Sequence, residues 1–269
     1  MGRRIARARL GSGQVGFGLV SEDASGAAHF VPIVGSLLDG RWDPAGPPVP
    51  LTEVELLCPV TPTKVVGIGT NYRAHAVEMG RPIPPVPKMF LMPATAVVGP
   101  GDAIAIPPGA SRVDHEAELA VVIGRRASRV AVSEALDHVV GFTVANDVTA
   151  RDFQKADKVF ARAKGFDTFC PLGPWVAVDL DPSDLGVRAL VDGKLRQEGR
   201  TSDLIFDLPT LVSFVSHVMT LLPGDVIATG TPSGVGPLRA GQVVRVEVEG
   251  IGAMENPVVD REDRLEALP

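Results

Sequence analysis

Two cysteines in 269 residues, Cys58 and Cys170, are too few and too widely spaced for a disulfide framework or a paired-cysteine metal site. A reducing cytoplasm fits, and both read as ordinary buried thiols. No apolar stretch approaches the length of a membrane span, so no transmembrane helix is expected. The basic residues of the first segment, Met1 to Arg9, are not followed by a continuous apolar run, so no signal peptide is expected either. Aromatic residues make up only 5%, which speaks against a stacking platform for bases. Positive charge is also in deficit: 26 Lys and Arg stand against 32 Asp and Glu, a net of −6. That balance argues against a nucleic acid or an anionic membrane as partner. What remains is an ordinary globular composition, 45% hydrophobic and 22% charged, long enough for a substantial core. The 29 glycines and 24 prolines mean that the chain turns often.

Residues 1 to about 45 read as short strands, Arg4 to Leu10, Gly16 to Val20 and Ala27 to Val31, joined by glycine-rich or polar turns. The proline-rich stretch from Asp43 to Pro50 is the best boundary, giving a small β-rich unit over 1–52 and a larger one over 53–269. Strands are expected at Leu119–Ile123, Gly141–Ala145, Trp175–Val178, Val187–Val191, Val226–Thr229 and Val243–Val248. The clearest helix runs from Asp207 to Leu222. Asp207 suits its cap, Pro209 its first turn, and Leu208, Leu211, Val212, Val215, Val218, Met219 and Leu222 form one apolar stripe. Ser133 to His138 is a shorter helix.

Gly11-Ser12-Gly13-Gln14-Val15-Gly16 has the spacing of a dinucleotide fingerprint, but the strand-like Phe17-Gly18-Leu19-Val20 follows where a helix is needed. It reads as a hairpin turn. Glu116 and Glu118 are more telling. They lie two apart, just before an apolar run closed by Gly124, and alternate side chains on a strand share a face. Two carboxylates held together beside a core need compensation, and hard divalent cations prefer such oxygens. Asp147, at the end of the strand from Gly141, is a possible third ligand or a helix cap. His75 and Glu78 are three apart on a short helix after the strand Val65 to Ile68. A carboxylate beside an imidazole fixes its tautomer and raises its basicity, as a water-activating base requires. Arg151 offers a forked donor for a carboxylate, or a surface ion pair with Asp147 or Asp152. Lys164, read as lying in a loop, can hold a carboxylate or polarise a carbonyl; a solvated lysine is the bland reading. Thr231 supplies a hydroxyl in the turn Thr229 to Gly236. His29, His115, His138 and His217 show no partner pattern.

Five motifs in series resemble the fumarylacetoacetate hydrolase family over about residues 60 to 260. They are Gly67-x-Gly-x-Asn71-Tyr72-x-x-His75-x-x-Glu78, Asp114-His115-Glu116-x-Glu118-Leu119, Asn146-Asp147-Val148-Thr149-Ala150-Arg151-Asp152-x-Gln154, Lys164-Gly165-Phe166-Asp167, and Gly230-Thr231-Pro232-x-Gly234-Val235-Gly236. The resemblance implies an α+β, mostly β fold: a mixed β-sandwich roll with few helices, plus a small N-terminal β-rich domain, usually in a homodimer. It implies Mg²⁺ or Mn²⁺ on Glu116, Glu118 and Asp147, a water-activating dyad of His75 and Glu78, and Lys164 on the substrate. Arg151, Gln154 and Thr231 would line the substrate pocket. Thr70 departs from the pattern, since many relatives carry lysine before the Asn-Tyr pair.

The chemistry implied is cleavage of a carbon–carbon bond in an acylpyruvate-type β-diketo acid, giving a carboxylic acid and pyruvate. The same enolate-stabilising site would also serve a 2-hydroxyhepta-2,4-diene-1,7-dioate isomerase, of the kind met in aromatic catabolism, or an oxaloacetate decarboxylase. A keto-acid binding protein without turnover is the reading from another class, and a water-activating dyad argues against it. The segment Gly80 to Pro87 is expected to cover the pocket.

Overall fold

The computed structural model describes residues 2–261. Five strands open the chain: β1 (Arg3–Arg9), β2 (Val15–Glu22), β3 (Ala28–Pro32), β4 (Val49–Pro50) and β5 (Glu55–Leu57). The expected hairpin turn is there, with Leu10 N–H donating to Gln14 between β1 and β2. Then come β6 (Val65–Gly69), the short helix α1 (Arg73–Glu78), β7 (Lys88–Met92), β8 (Val97–Val98), β9 (Ile104–Ile106), β10 (Val113–His115) and β11 (Ala117–Ile123). Strand β12 (Val139–Asn146) leads through β13 (Thr149–Ala150) to the helices α2 (Arg151–Asp157) and α3 (Ala161–Lys164). The last part holds β14 (Cys170–Val178), β15 (Gly186–Val191), β16 (Lys194–Arg200), α4 (Leu208–Val218), β17 (Val226–Ala228), β18 (Gly236–Leu238), β19 (Val243–Val248) and β20 (Gly252–Asp260).

The path of the largest sheet is β4-β3-β2-β1-β14-β12-β11-β17-β6-β7. It is mixed: β17 and β6 run parallel, while β11 lies antiparallel between β12 and β17. A five-stranded sheet, β16-β15-β19-β20-β9, packs against it, and β13-β10-β18 closes one end. The fold is therefore mostly β with few, short helices. The N-terminal strands extend the large sheet directly, through pairing of β1 with β14.

Strand β11 shows why its sequence is almost continuously apolar. Leu119, Val121 and Ile123 enter the core between the two sheets, while Ala120 and Val122 join a second core on the other face. A strand buried on both sides cannot alternate with polar residues. Glu116 and Glu118 share the parity of Ala120 and Val122, so the carboxylates continue the face of the second core.

Two elements differ from expectation. Helix α4 is capped by Asp207, whose carboxylate accepts from Thr210 N–H, but it ends at Val218 rather than Leu222. Met219 is extended, and Leu221 instead exchanges backbone hydrogen bonds with Ala127. Sheet-like pairing with a distant segment outcompetes the last helical turn. The proline-rich stretch before Pro50 is not a free connection: Val49 and Pro50 pair with β3, and Pro44 bridges Ile33.

Candidate active site

Several backbone elements converge at one end of β11. Glu116 sits at the junction of β10 and β11, held by its N–H on Asn146 Oδ1 and its C=O on Asp147 N–H. That pairing places Asp147, one residue past β12, beside both glutamates. One carboxylate oxygen from each of Glu116, Glu118 and Asp147 lies within 4.8 Å of the others, and all three residues are buried. Eight of the nine residues singled out in the sequence line one narrow cavity: His75, Glu116, Glu118, Asp147, Arg151, Gln154, Lys164 and Thr231. The ninth, Glu78, lines the adjoining chamber and reaches the cavity through His75.

His75 is 5% exposed, and its Nδ1 lies 3.0 Å from Glu78 Oε2. The other oxygen of Glu78 accepts from Gly234 N–H at 2.9 Å, so the carboxylate is itself fixed. This leaves Nε2 of His75 as the nitrogen that can exchange a proton. Helix α1 is aimed by the turn before it. Thr70 adopts φ 59°, a left-handed conformation that costs a β-branched residue about 1–3 kcal/mol. Asn71 holds that turn in place: its side chain donates to the carbonyls of Phe206 and Thr229 and accepts from Phe206 N–H.

Two side chains depart from the sequence expectation. Lys164 is not in a loop but ends α3, and it is 3% exposed rather than solvated. Its Nζ donates to Glu116 at 2.9 Å, to Asp147 at 2.5 Å and to Thr149 Oγ1 at 2.8 Å. Arg151 pairs with neither Asp147 nor Asp152. Its guanidinium spans Asp114 (2.8 Å), Glu116 (2.5 Å) and the Gln154 side chain (3.3 Å). Asp114 is fully buried and also accepts two bonds from Arg112.

The compensation is uneven. Burial would raise Glu116, but Lys164, Arg151 and His75 outweigh it and bring the carboxyl down to about 2. Burial raises Asp147 to about 6, with Lys164 only partly opposing it. Glu118 is held well above the usual carboxylate range by burial and by its neighbours Asp147 and Glu116. Among the described residues its one hydrogen bond is from Gly230 N–H, and no cation pairs with it. Asp147 Oδ1 is buried without a partner. A divalent ion fits this set. It would be held by three hard oxygen donors, one of them without a partner and one on a carboxylate that no cation pairs among the described residues.

These shifts set a sign for pH. Folded, metal-free protein retains protons on Glu118 and Asp147 that the unfolded chain releases, so it loses stability as pH rises from about 4 through about 6. Ion binding needs both groups deprotonated and removes that penalty. The rise in Tm caused by Mg²⁺ or Mn²⁺ will therefore be larger near pH 7.5 than near pH 5. Thermal denaturation at the two pH values, with and without the ion, measures this; equal shifts would contradict it.

Sequence reasoning missed a buried network behind the site. His115, given no partner above, is 1% exposed and bonds through Nδ1 to Gln197 Oε1 at 2.8 Å. The same oxygen accepts from Ala117 N–H, and Gln197 Nε2 donates to Thr231 Oγ1 and to the Pro232 carbonyl. Thr231 then donates to the Ala117 carbonyl at 2.8 Å. Each donor has one acceptor available, so the amide orientation of Gln197 follows. The Thr231 hydroxyl proton is thereby spent on the backbone, and toward the cavity this residue offers a lone pair. Gln197 is the one buried residue of the otherwise solvent-facing β16, and that isolated polar position was the signal available.

The turn carrying Thr231 depends on Gly230. Its φ is +104°, and a Cβ there would lie 2.7 Å from Cβ of Asn71. Gly230→Ala will lower stability by about 1–3 kcal/mol and move the N–H that Glu118 accepts. Denaturant melts and metal titration should both register the change; an alanine variant with parental stability and metal affinity would refute this role.

A larger concavity of about 880 Å³ lies between Arg4 and strands β15, β16, β19 and β20. Its charges are matched among themselves, as in Arg188–Glu198, Arg200–Glu249 and Arg245–Glu247. No convergent reactive set faces it.

The family model described as fumarylacetoacetate (FAA) hydrolase C-terminal matches residues 64–259, most of the chain. The chain belongs to the fumarylacetoacetate hydrolase family. A second model, Rv2993c-like N-terminal, matches residues 3–59. Among family members of known structure, the 2-hydroxyhepta-2,4-diene-1,7-dioate isomerase from Mycobacterium marinum is 43% identical, with a TM-score of 0.89 over 97% of this chain and 100% of that one. A fumarylpyruvate hydrolase from Pseudomonas aeruginosa, solved with Mn²⁺ and pyruvate, is 32% identical, with a TM-score of 0.71 over 76% of this chain and 91% of that one. The mitochondrial oxaloacetate tautomerase fahd2 of Xenopus laevis is 46% identical over 221 residues, 77% of this chain and 69% of its own. Family members thus include hydrolases, isomerases and tautomerases, and family membership makes this chain an enzyme of that superfamily.

Among the described residues no helix is long and apolar enough to cross a membrane. Burial pushes the Cys58 thiol up to about 12 and raises Cys170 as well, so neither is a ready nucleophile.

Proposed function

We propose that the protein is a Mg²⁺- or Mn²⁺-dependent hydrolase that cleaves the carbon–carbon bond of acylpyruvate-type β-diketo acids. The observation that carries this reading is the His75–Glu78 dyad, fixed at 3.0 Å, whose imidazole lies on the wall of the same cavity as the three carboxylates. A divalent ion held by Glu116, Glu118 and Asp147 would supply charge stabilisation for an enolate. The protein's own groups do the rest. Glu78 holds the His75 ring so that Nε2 takes a proton from water. The water oxygen bonds to the distal carbonyl carbon, and the bond from that carbon to the methylene breaks. The electron pair leaves on the pyruvate fragment as its enolate, which is then protonated to pyruvate. Arg151 and Gln154 present donors to the substrate carboxylate, with Arg151 kept in orientation by Asp114. Lys164 neutralises negative charge where it develops.

A second reading is isomerisation or keto–enol tautomerisation of a related keto acid. It is favoured by the Mycobacterium marinum isomerase and the Xenopus laevis tautomerase, both more than 40% identical to this chain. There His75 would move a proton between carbon and oxygen rather than from water. Assays of purified protein with Mg²⁺ against acetylpyruvate, fumarylpyruvate and oxaloacetate separate the two. Pyruvate release from an acylpyruvate supports hydrolysis. Loss of oxaloacetate enol with no cleavage of either acylpyruvate would replace hydrolysis by the second reading.

A further inference from the structure

The cavity of the three carboxylates has a neighbour. It adjoins a chamber of about 480 Å³, and Arg81, Arg151 and Gln154 line both. A ligand whose keto-acid head sits at the carboxylates has this chamber for its tail. The chamber wall carries four cationic side chains, Arg81, Arg112, Arg151 and Lys155, against two anionic ones, Glu78 and Asp114. That excess is opposite in sign to the chain as a whole, whose net charge is −6.

Most of these charges are already committed. Arg112 and Arg151 both bond to Asp114, and Glu78 bonds to His75 and Gly234. Two cations remain. Arg81 is half-buried at the junction of the two spaces, and its guanidinium has no hydrogen-bond or ion-pair partner among the described residues. Lys155, on α2 and exposed, also has none. The base of Arg81 is nevertheless fixed: its N–H donates to the Ala76 carbonyl at 2.9 Å, directly after α1. Beyond it run Pro82, Pro84, Pro85 and Pro87, whose rings restrict the backbone. An arginine anchored at its backbone, free at its tip and facing a ligand cavity offers a planar fork matched to a carboxylate.

We propose that Arg81, assisted by Lys155, binds a second anionic group at the far end of the substrate, so that this enzyme selects α-keto acids with a distal carboxylate over those with an uncharged tail. This rests on the keto-acid reading of the metal cavity given above. It places substrate choice on Arg81, within the segment Gly80 to Pro87 that was expected from the sequence to fold over the pocket.

The test compares two ligands alike in their keto-acid head and differing in tail charge, 2-oxoglutarate and 2-oxopentanoate, titrated into Mn²⁺-loaded protein by calorimetry. The parent protein should bind 2-oxoglutarate about tenfold or more tightly than 2-oxopentanoate, the value of one charge-assisted contact. Arg81→Met should reduce that preference to about threefold or less and leave the 2-oxopentanoate affinity unchanged. Arg81→Lys should retain part of it, and Lys155→Gln should lower it by about two- to threefold, an effect that fades in high salt because Lys155 is exposed. Circular dichroism melts confirm that each variant is folded. Equal affinity for the two ligands in the parent, or an equal loss for both in Arg81→Met, overturns the proposal while leaving the cavity reading intact. Failure of both ligands to bind the metal-loaded parent overturns the cavity reading and this proposal with it.

Discussion

Replacing Glu118 with glutamine will raise the stability of the metal-free protein and, in the same variant, lower metal-dependent turnover by about a thousandfold. The opposite signs follow from what Glu118 touches. It is 1% exposed, and among the described residues it pairs with no cation and takes its single hydrogen bond from Gly230 N–H. A glutamine oxygen keeps that bond while the uncompensated charge disappears. The same charge would hold a divalent ion, and an amide is a far weaker donor to such ions. Glu116→Gln should lose turnover in the same way but should not gain stability, because Glu116 is already paired with Arg151 and Lys164. Removing its charge takes one anionic partner from each of those buried cations, which keep only Asp114 and Asp147 respectively. Thermal melts in a chelator and steady-state rates with Mg²⁺ decide the matter. A Glu118→Gln variant that is less stable without metal, or that turns over normally with it, would contradict this account.

Substituting His75 by alanine will reduce kcat by about 10²- to 10⁴-fold while leaving the metal-induced rise in Tm close to that of the parent. The imidazole lines the cavity but is not one of the three oxygen donors, so metal binding and proton transfer should separate cleanly. Glu78→Gln should give a smaller loss in the same direction, since the amide can still contact Nδ1 but supports the protonated ring poorly. Single-turnover rates with an acylpyruvate, set beside metal titrations, measure both quantities. Metal-dependent turnover that is indifferent to His75→Ala would remove water activation and favour decarboxylation.

The parts of the site readable in the sequence were those set by local geometry. A spacing of two on a strand placed Glu116 and Glu118 on one face, and a spacing of three on a helix placed His75 against Glu78. Each survives folding because the period of the element fixes it. The strands of the core were readable for the same reason, as in the run from Leu119 to Ile123. What was not readable depends on register between distant segments. Gln197 reaches Ala117 and Thr231 across 80 and 34 residues. An ion pair of Arg151 with Asp147 or Asp152 was one of two readings, yet its carboxylate partners include Asp114, 37 residues away, because β10 and β13 pair there. Lys164 read as a loop residue because the helix that carries it spans only four residues, too short to show a period. The end of α4 was misplaced for a related reason, since Leu222 continues the apolar stripe while the backbone of Leu221 before it is claimed by Ala127. Family resemblance supplied roles for Arg151 and Lys164 but not the contacts that hold them, and none for Gln197.

The central claim is that three buried carboxylates and the adjoining dyad act together through a divalent ion on an α-keto acid. Its most direct test is pyruvate release from fumarylpyruvate by protein stripped with a chelator, measured before and after Mg²⁺ or Mn²⁺ is restored. The account predicts no release above the uncatalysed rate from the stripped protein and full recovery on adding either ion. Undiminished release from the stripped protein would contradict it.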